Sequence, residues 1–299
     1  MHLITRADWD GLVCAVLLSQ VEKIEGVYFA HPKDMQDGKV PVPKHSIIAN
    51  LPYHPACALW FDHHISEEER APAPGKFTGK YGQAPSAARL IYEYFGGAGK
   101  YGKFADLIAA TDAIDSAQLT MEDVTQPTGY VLLSYTIDPR TGLTGAQYQP
   151  YFLMLMELLQ TQTLAEVMEN PQVKARCERV LAEEAQFRRA LLINSKQDGN
   201  VVITDFRGLP EVPPGNRFLI YALFPDVNIS VRLMDGRGGR NVVAALGHSI
   251  FNRTSKTNIG ELLKKYGGGG HAGAGTAQFS KEEAAAKIAE IIAQLKTDG

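Results

Sequence analysis

The chain has 299 residues, 45% of them hydrophobic and 21% charged, with 30 basic against 33 acidic side chains and a net charge of −3. That balance is globular and excludes disordered, collagen-like and coiled-coil classes, and it argues against a general nucleic-acid coat protein. Three scattered cysteines are too few for a disulfide framework or a zinc ribbon, and no apolar run reaches about 18 residues, so no membrane span is expected. The acidic N-terminal stretch MHLITRADWDG does not read as a signal peptide, and a cytoplasmic protein is expected.

At roughly 100–200 residues per domain, the length points to two domains. His2–Thr5 reads as a strand, and Gly11–Ile24 as a helix with an apolar stripe through Val13, Leu17 and Val21. Gly26–Ala30, Ser46–Ala49 and Ala58–Phe61 read as buried strands. Helical patterns follow over Pro85–Phe95 and Phe104–Thr111, then from Tyr151 to about Asn194 with a break at Pro171. Strands alternating with helices predict an α/β fold with a mainly parallel sheet. Ligands of such sheets bind beyond the carboxyl ends of the strands, where Asp8, Asp10, Asn50 and Asp62 are expected.

Composition shifts at Asn194–Gly199. Strand-like runs return over Asn200–Asp205, Arg217–Phe224, Asn228–Met234 and Asn241–Leu246, joined by glycine-rich turns. A helix over Asn258–Tyr266 leads into the glycine-rich stretch Gly267–Gly275, and a last amphipathic helix covers Lys281–Leu295. Residues 195–299 hold 13 basic and 10 acidic side chains, the rest 17 and 23. The expected division is therefore residues 1–194, acidic and suited to a metal, and residues 195–299, a smaller mixed-sheet α/β domain suited to an anionic substrate.

Four constellations carry chemistry. Asp62, His63 and His64 follow the apolar run ALWF; a carboxylate and two imidazoles at a strand end hold a divalent cation or a phosphate, or form a solvated polar turn. Asp8 and Asp10 precede a helix, where they face one cation or one of them caps the helix. Asp112, with Asp115 three residues on, ends an apolar helix and is either a ligand or surface. Gly267–Gly270 and His271 form either an anion-binding backbone or a flexible turn.

The ordered set Asp-x-Asp, Asp-His-His, Asp and a distal Gly-Gly-Gly-His resembles the DHH superfamily of metal-dependent phosphoesterases, in its second subfamily with the associated C-terminal domain. Its members include single-strand exonucleases, nano-RNases, cyclic-dinucleotide phosphodiesterases, pyrophosphatases and polyphosphatases. The resemblance covers nearly the whole chain and implies Asp8, Asp10, His63 and Asp112 as ligands of one or two Mn²⁺ ions, with Mg²⁺ or Co²⁺ as alternatives. It implies that Asp62 orients an imidazole, that His64 contacts phosphate, and that Arg232, Gly269, Gly270 and His271 bind substrate across a cleft. Arg253 and Lys256 either add positive potential or are solvated, and Tyr266 and Phe251 are either base-stacking or core side chains.

The chain departs from the pattern at two places. Where the family commonly has a histidine four residues before its first aspartate, this chain has Ile4. Where it has a carboxylate bridging two metals, this chain has Asn50, a neutral amide. The second metal position is therefore expected to fill and the first to be weak, absent or rebuilt, with His31 and His54 as rebuilding candidates. The reading is a metal-dependent phosphohydrolase acting on a phosphodiester or phosphoanhydride bond of a short oligonucleotide or related nucleotide. Polyphosphate or pyrophosphate hydrolysis, and nucleotide binding without hydrolysis, are the alternatives. No membrane or duplex nucleic acid is expected as partner, and a homodimer is compatible with the reading.

Overall fold

The computed structural model describes residues 1–64, 67–68, 71–73, 75–138, 140, 143 and 145–299, with Arg237 described by its backbone. In chain order the first elements are β1 (His2–Thr5), α1 (Trp9–Leu18), β2 (Gly26–Phe29), α2 (Pro32–Gln36), β3 (Ser46–Ala49), β4 (Cys57–Asp62) and β5 (Gly79–Tyr81). Helices follow: α3 (Ala87–Tyr94), α4 (Ala98–Tyr101), α5 (Ala105–Asp115), α6 (Met121–Thr125), α7 (Gly129–Ile137), α8 (Tyr148–Thr161), α9 (Leu164–Glu169) and α10 (Pro171–Asn194). The remainder holds β6 (Ser195–Asp198), β7 (Val201–Asp205), α11 (Leu219–Leu223), β8 (Ile229–Asp235), β9 (Asn241–His248), α12 (Ile259–Lys264), β10 (Gly269–His271), β11 (Ala274–Ser280) and α13 (Lys281–Asp298).

The chain divides into two compact units, Met1–Leu119 with Pro127–Val180, and Thr120–Gln126 with Leu181–Gly299. The sequence points to a division after residue 194. In the structure α10 runs on to Asn194 as one helix, and the units part inside it.

The first unit is an α/β body on a sheet of order β2-β1-β3-β4-β5, with every pairing parallel. Its inner strands β1 and β3 and the end of β4 are buried on both faces, as parallel strands under helices must be, while the edge strands β2 and β5 are partly exposed. Leu3 packs into a core with α1, whereas the next residue, Ile4, joins Met35, Ile48, Leu51 and Trp60 on the opposite face. Every residue of α1 is buried, which is why its apolar character runs all round rather than along one stripe. The helix expected over Gly11–Ile24 is shifted and shorter. Asp8 caps its start through the Gly11 amide, and the Ser19 hydroxyl bonds back to the Ala15 carbonyl at its end. A Cβ on Gly11 would lie 2.2 Å from the Arg6 carbonyl oxygen, so only glycine lets this helix start so close to β1.

The second unit carries a sheet of order β10-β11-β9-β8-β7-β6, antiparallel except for the β7–β8 pair. Its core joins β7, β8, β9 and β11 to α12 and α13 through residues such as Val231, Leu246, Phe279, Ile288 and Leu295. One expected strand, Arg217–Phe224, is instead the helix α11, whose Leu219, Ile220 and Tyr221 are buried. A short apolar run has no period to distinguish a buried strand from a buried helix. The glycine-rich stretch is not a free loop. Gly269–His271 pairs antiparallel with β11, and a Cβ on Gly260 would meet the Gly270 carbonyl oxygen at 2.6 Å. The glycines let α12 and two strands approach closely.

Candidate metal centre

The site lies at the carboxyl ends of β1, β3 and β4. The strand order reverses between β1 and β3, and that is where an open α/β sheet leaves a crevice. Asp8 and Asp10 follow β1, Asn50 follows β3, and Asp62 ends β4 with His63 and His64 beyond it.

Asp10 is buried in the first turn of α1, and its carboxylate accepts from the amides of Ala87 and Ala88, both at 2.9 Å. It thus meets the positive end of α3. Burial raises its pKa, as does the nearby Asp115 carboxylate, while His63 opposes the rise. His63 Nδ1 lies 3.0 Å from the Ala84 carbonyl oxygen. A carbonyl only accepts, so Nδ1 carries a proton and Nε2 is the atom left to take either a second proton or a cation. That Nε2 lies 3.1 Å from Asp115 Oδ2 and 3.8 Å from Asp10 Oδ2. Burial would lower the His63 pKa, but the contact with Asp115 and the charge of Asp10 outweigh it and raise it to about 9. Two carboxylates around one imidazole therefore draw in positive charge, as a proton or as a cation.

Asp10, His63 and Asp115 offer ligand atoms that all lie within 4.8 Å of one another. Among the described residues, Asn50 Oδ1, Asp62 Oδ2 and His63 Nε2 are buried without a hydrogen-bond partner. The carboxylates of Asp10 and Asp115 and the His63 imidazole form a donor set that fits a divalent cation.

The remaining sequence-derived candidates are placed as follows. Asp112 is not gathered at this cluster. Its Oδ1 accepts from the Ser86 hydroxyl at 2.7 Å, and its Oδ2 accepts from Arg89 Nε at 2.8 Å and from Arg89 Nη2. Asp112 therefore ties α5 to α3, and Asp115, one turn further on, is the carboxylate that meets His63. Asp62 Oδ1 accepts from the His63 amide and contacts His64 Nδ1 at 2.7 Å. Since Arg6 Nη1 can only donate to His64 Nε2, at 3.1 Å, the His64 proton sits on Nδ1 and points at Asp62. His31 and His54 stay outside the cluster, each ring accepting a nearby backbone amide. Arg6 went unnoticed in the sequence because one arginine before Asp8 has no periodic signal. Only the sheet, which sets the carboxyl ends of β1 and β4 on one edge with β3 between them, brings it to His64.

In the second unit Arg232 lies on β8 with its guanidinium 5.4 Å from the Phe187 ring centre and 5.8 Å from that of Phe206. Gly269, Gly270 and His271 form β10, with His271 exposed. Tyr266 packs edge-on against Phe279, so it is part of the core side of this unit. Arg253 Nε donates to the Ile250 carbonyl, which folds that side chain onto its own loop.

No family model matches the chain, and no curated protein matches it significantly. Among solved structures, a pGpG-specific phosphodiesterase, PggH from Vibrio cholerae, is 41% identical, with a TM-score of 0.88 over 100% of this chain and 99% of its own. An exopolyphosphatase-related protein from Bacteroides fragilis is 14% identical, with a TM-score of 0.53 over 99% of this chain and 92% of its own. RecJ from Thermus thermophilus in complex with Mn²⁺ is 15% identical, with a TM-score of 0.57 over 98% of this chain and 52% of its own. The last two show the shared fold; the first extends the likeness to sequence along both full lengths. The chain belongs to the DHH family of phosphoesterases, metal-dependent phosphohydrolases.

Proposed function

We propose that the chain hydrolyses a short linear dinucleotide of the pGpG type, using a divalent cation held by Asp10, His63 and Asp115. Manganese is the ion we assign first, with magnesium or cobalt as alternatives. The observation that carries this reading is the 41% identity, over both full lengths, with a pGpG-specific phosphodiesterase. The buried carboxylate–imidazole–carboxylate cluster supports it.

A bound cation supplies Lewis acidity, lowering the pKa of water and stabilising charge on phosphoryl oxygens. The chain supplies the positioning. Ala84 holds His63 in the tautomer that offers Nε2, and the first amides of α3 hold Asp10. Asp62 fixes the His64 ring, which in this reading faces the substrate phosphate. Water adds across one P–O bond and the proton leaves with the released hydroxyl, so pGpG yields two mononucleotides. Arg232, Gly269, Gly270 and His271 are proposed as contacts to the substrate in the second unit. The Arg232 guanidinium lies beside two aromatic rings, and its planar fork suits a phosphate group.

The test is product release from pGpG, cyclic di-GMP, a short oligonucleotide, pyrophosphate and polyphosphate in Mn²⁺, with and without EDTA. Conversion of pGpG to GMP that stops with EDTA is the expected result. Release from polyphosphate or pyrophosphate alone would move the substrate to phosphoanhydrides. Nucleotide binding that survives EDTA without turnover of any substrate would make the chain a binder.

A further inference from the structure

Arg6 bonds to both Asp8 and His64, while Ile4 and Asn50, the two departures from the two-metal pattern, carry no charge. Ile4 is only 1% exposed and packs with Ile48 and Trp60, so nothing at that place can ligate an ion. Asp8 spends both of its oxygens on N–H donors. Oδ1 accepts from the Gly11 amide at 2.9 Å and from Asn50 Nδ2 at 3.0 Å, and Oδ2 pairs with Arg6 Nε at 3.0 Å. Arg6 Nη1 reaches on to His64 Nε2 at 3.1 Å. A guanidinium thus lies between the first aspartate and the last histidine of the motif set. Its side chain is 37% exposed, and its Nη2 edge makes no hydrogen bond among the described residues.

Electrostatics explains why the replacements come together. A second dication beside an occupied ion site needs anionic ligands between the two ions. Asn50 brings no charge, and its amide turns a donor, not an acceptor, toward Asp8. A permanent monocation on a planar fork answers the single charge of Asp8 and keeps N–H groups for a phosphoryl oxygen. The Asn50 backbone has φ 59°, a left-handed conformation that asparagine and aspartate both tolerate, so the amide there is a choice of charge and not of backbone.

We propose that the Arg6 guanidinium takes the place of the second cation. One ion binds at Asp10, His63 and Asp115, and Arg6, held between Asp8 and His64, contacts the substrate phosphoryl group as the second positive charge. This rests on the ion site of the proposed function.

The experiment is calorimetric titration of the metal-stripped full chain with MnCl₂, with bound manganese counted after dialysis. One ion per chain is expected for the wild type and two for Arg6→Ala/Asn50→Asp, with cooperative melting verifying the fold. Arg6→Lys, which keeps the charge but not the fork, should retain one ion and its affinity while kcat on pGpG falls about tenfold or more. Two ions in the wild type overturn the Arg6 assignment and leave the ion site standing. So does a folded double variant that still binds one ion. If the double variant does not melt cooperatively, Arg6→Lys decides: unchanged kcat overturns the assignment. A wild type that binds no manganese overturns the proposed ion site itself, and the Arg6 assignment with it.

Discussion

Asp112 and Asp115 lie three residues apart on α5, and at that spacing both project from roughly the same helix face. Which of them meets His63 depends on the docking of α3, because Ser86 and Arg89 claim the Asp112 carboxylate. The two positions therefore answer differently to loss of charge. Asp115→Asn should weaken Mn²⁺ binding at least tenfold with little change in melting temperature. Asp112→Asn should keep the ion yet lose about 1–3 kcal/mol of stability, since half-buried Arg89 loses its charged partner. Calorimetry and thermal melting of both variants separate the two roles. Asp10 and His63 were legible in the sequence because each follows a strand at a motif position. Asp115 and Arg6 were not, because their meaning comes from residues about 50 and 58 positions away.

At the scale of elements, α10 shows how a regular pattern can hide an exception. Its buried positions Val173, Cys177, Val180, Glu184, Phe187 and Leu191 step by four and three, as a helix with one packed seam requires. Glu184 interrupts that seam, a residue only 6% exposed, and burial raises its pKa to about 7, with Arg188 opposing. The folded state therefore binds the proton more tightly than the unfolded chain. Its contribution to stability is fully present below the ordinary glutamate range and is lost as pH rises through about 7. Glu184→Gln should remove that loss, raising stability at pH 8 by at most about 3 kcal/mol while changing little at pH 4. Equal effects at both pH values in denaturant melts would show that the carboxyl charge is not the cause. The glycine-rich stretch teaches the opposite lesson. Its composition was open to an anion-binding backbone or a flexible turn, and a Cβ on Gly270 would lie 2.3 Å from the Ala274 carbonyl oxygen. Those glycines are explained by strand and helix backbones in close approach, which no local reading supplies.

At the scale of the whole molecule, the two units have separate hydrophobic cores. The chain has two tryptophans, Trp9 and Trp60, and both belong to the first unit, which also holds the candidate ion site. Tryptophan fluorescence therefore reports the unit that binds the ion. An ion that binds only the native state adds about 2.7 kcal/mol at a concentration 100 times its dissociation constant. For a unit of this size that corresponds to a rise of about 5–10 °C in the fluorescence melt. Saturating Mn²⁺ should produce this rise and EDTA should abolish it. Melts that coincide with and without Mn²⁺ would count against an ion bound in the first unit.

The alternating strand and helix patterns, the parallel first sheet and most of the acidic motif were determined by the sequence, because a buried strand and the residue that follows it are local facts. The family followed from the order of those motifs along the chain. Only the tertiary structure decided which carboxylate of α5 joins His63, that α11 is a helix, and that Arg6 stands between Asp8 and His64. Those outcomes depend on which backbones the sheet order brings side by side, and burial and charge are settled only once they meet.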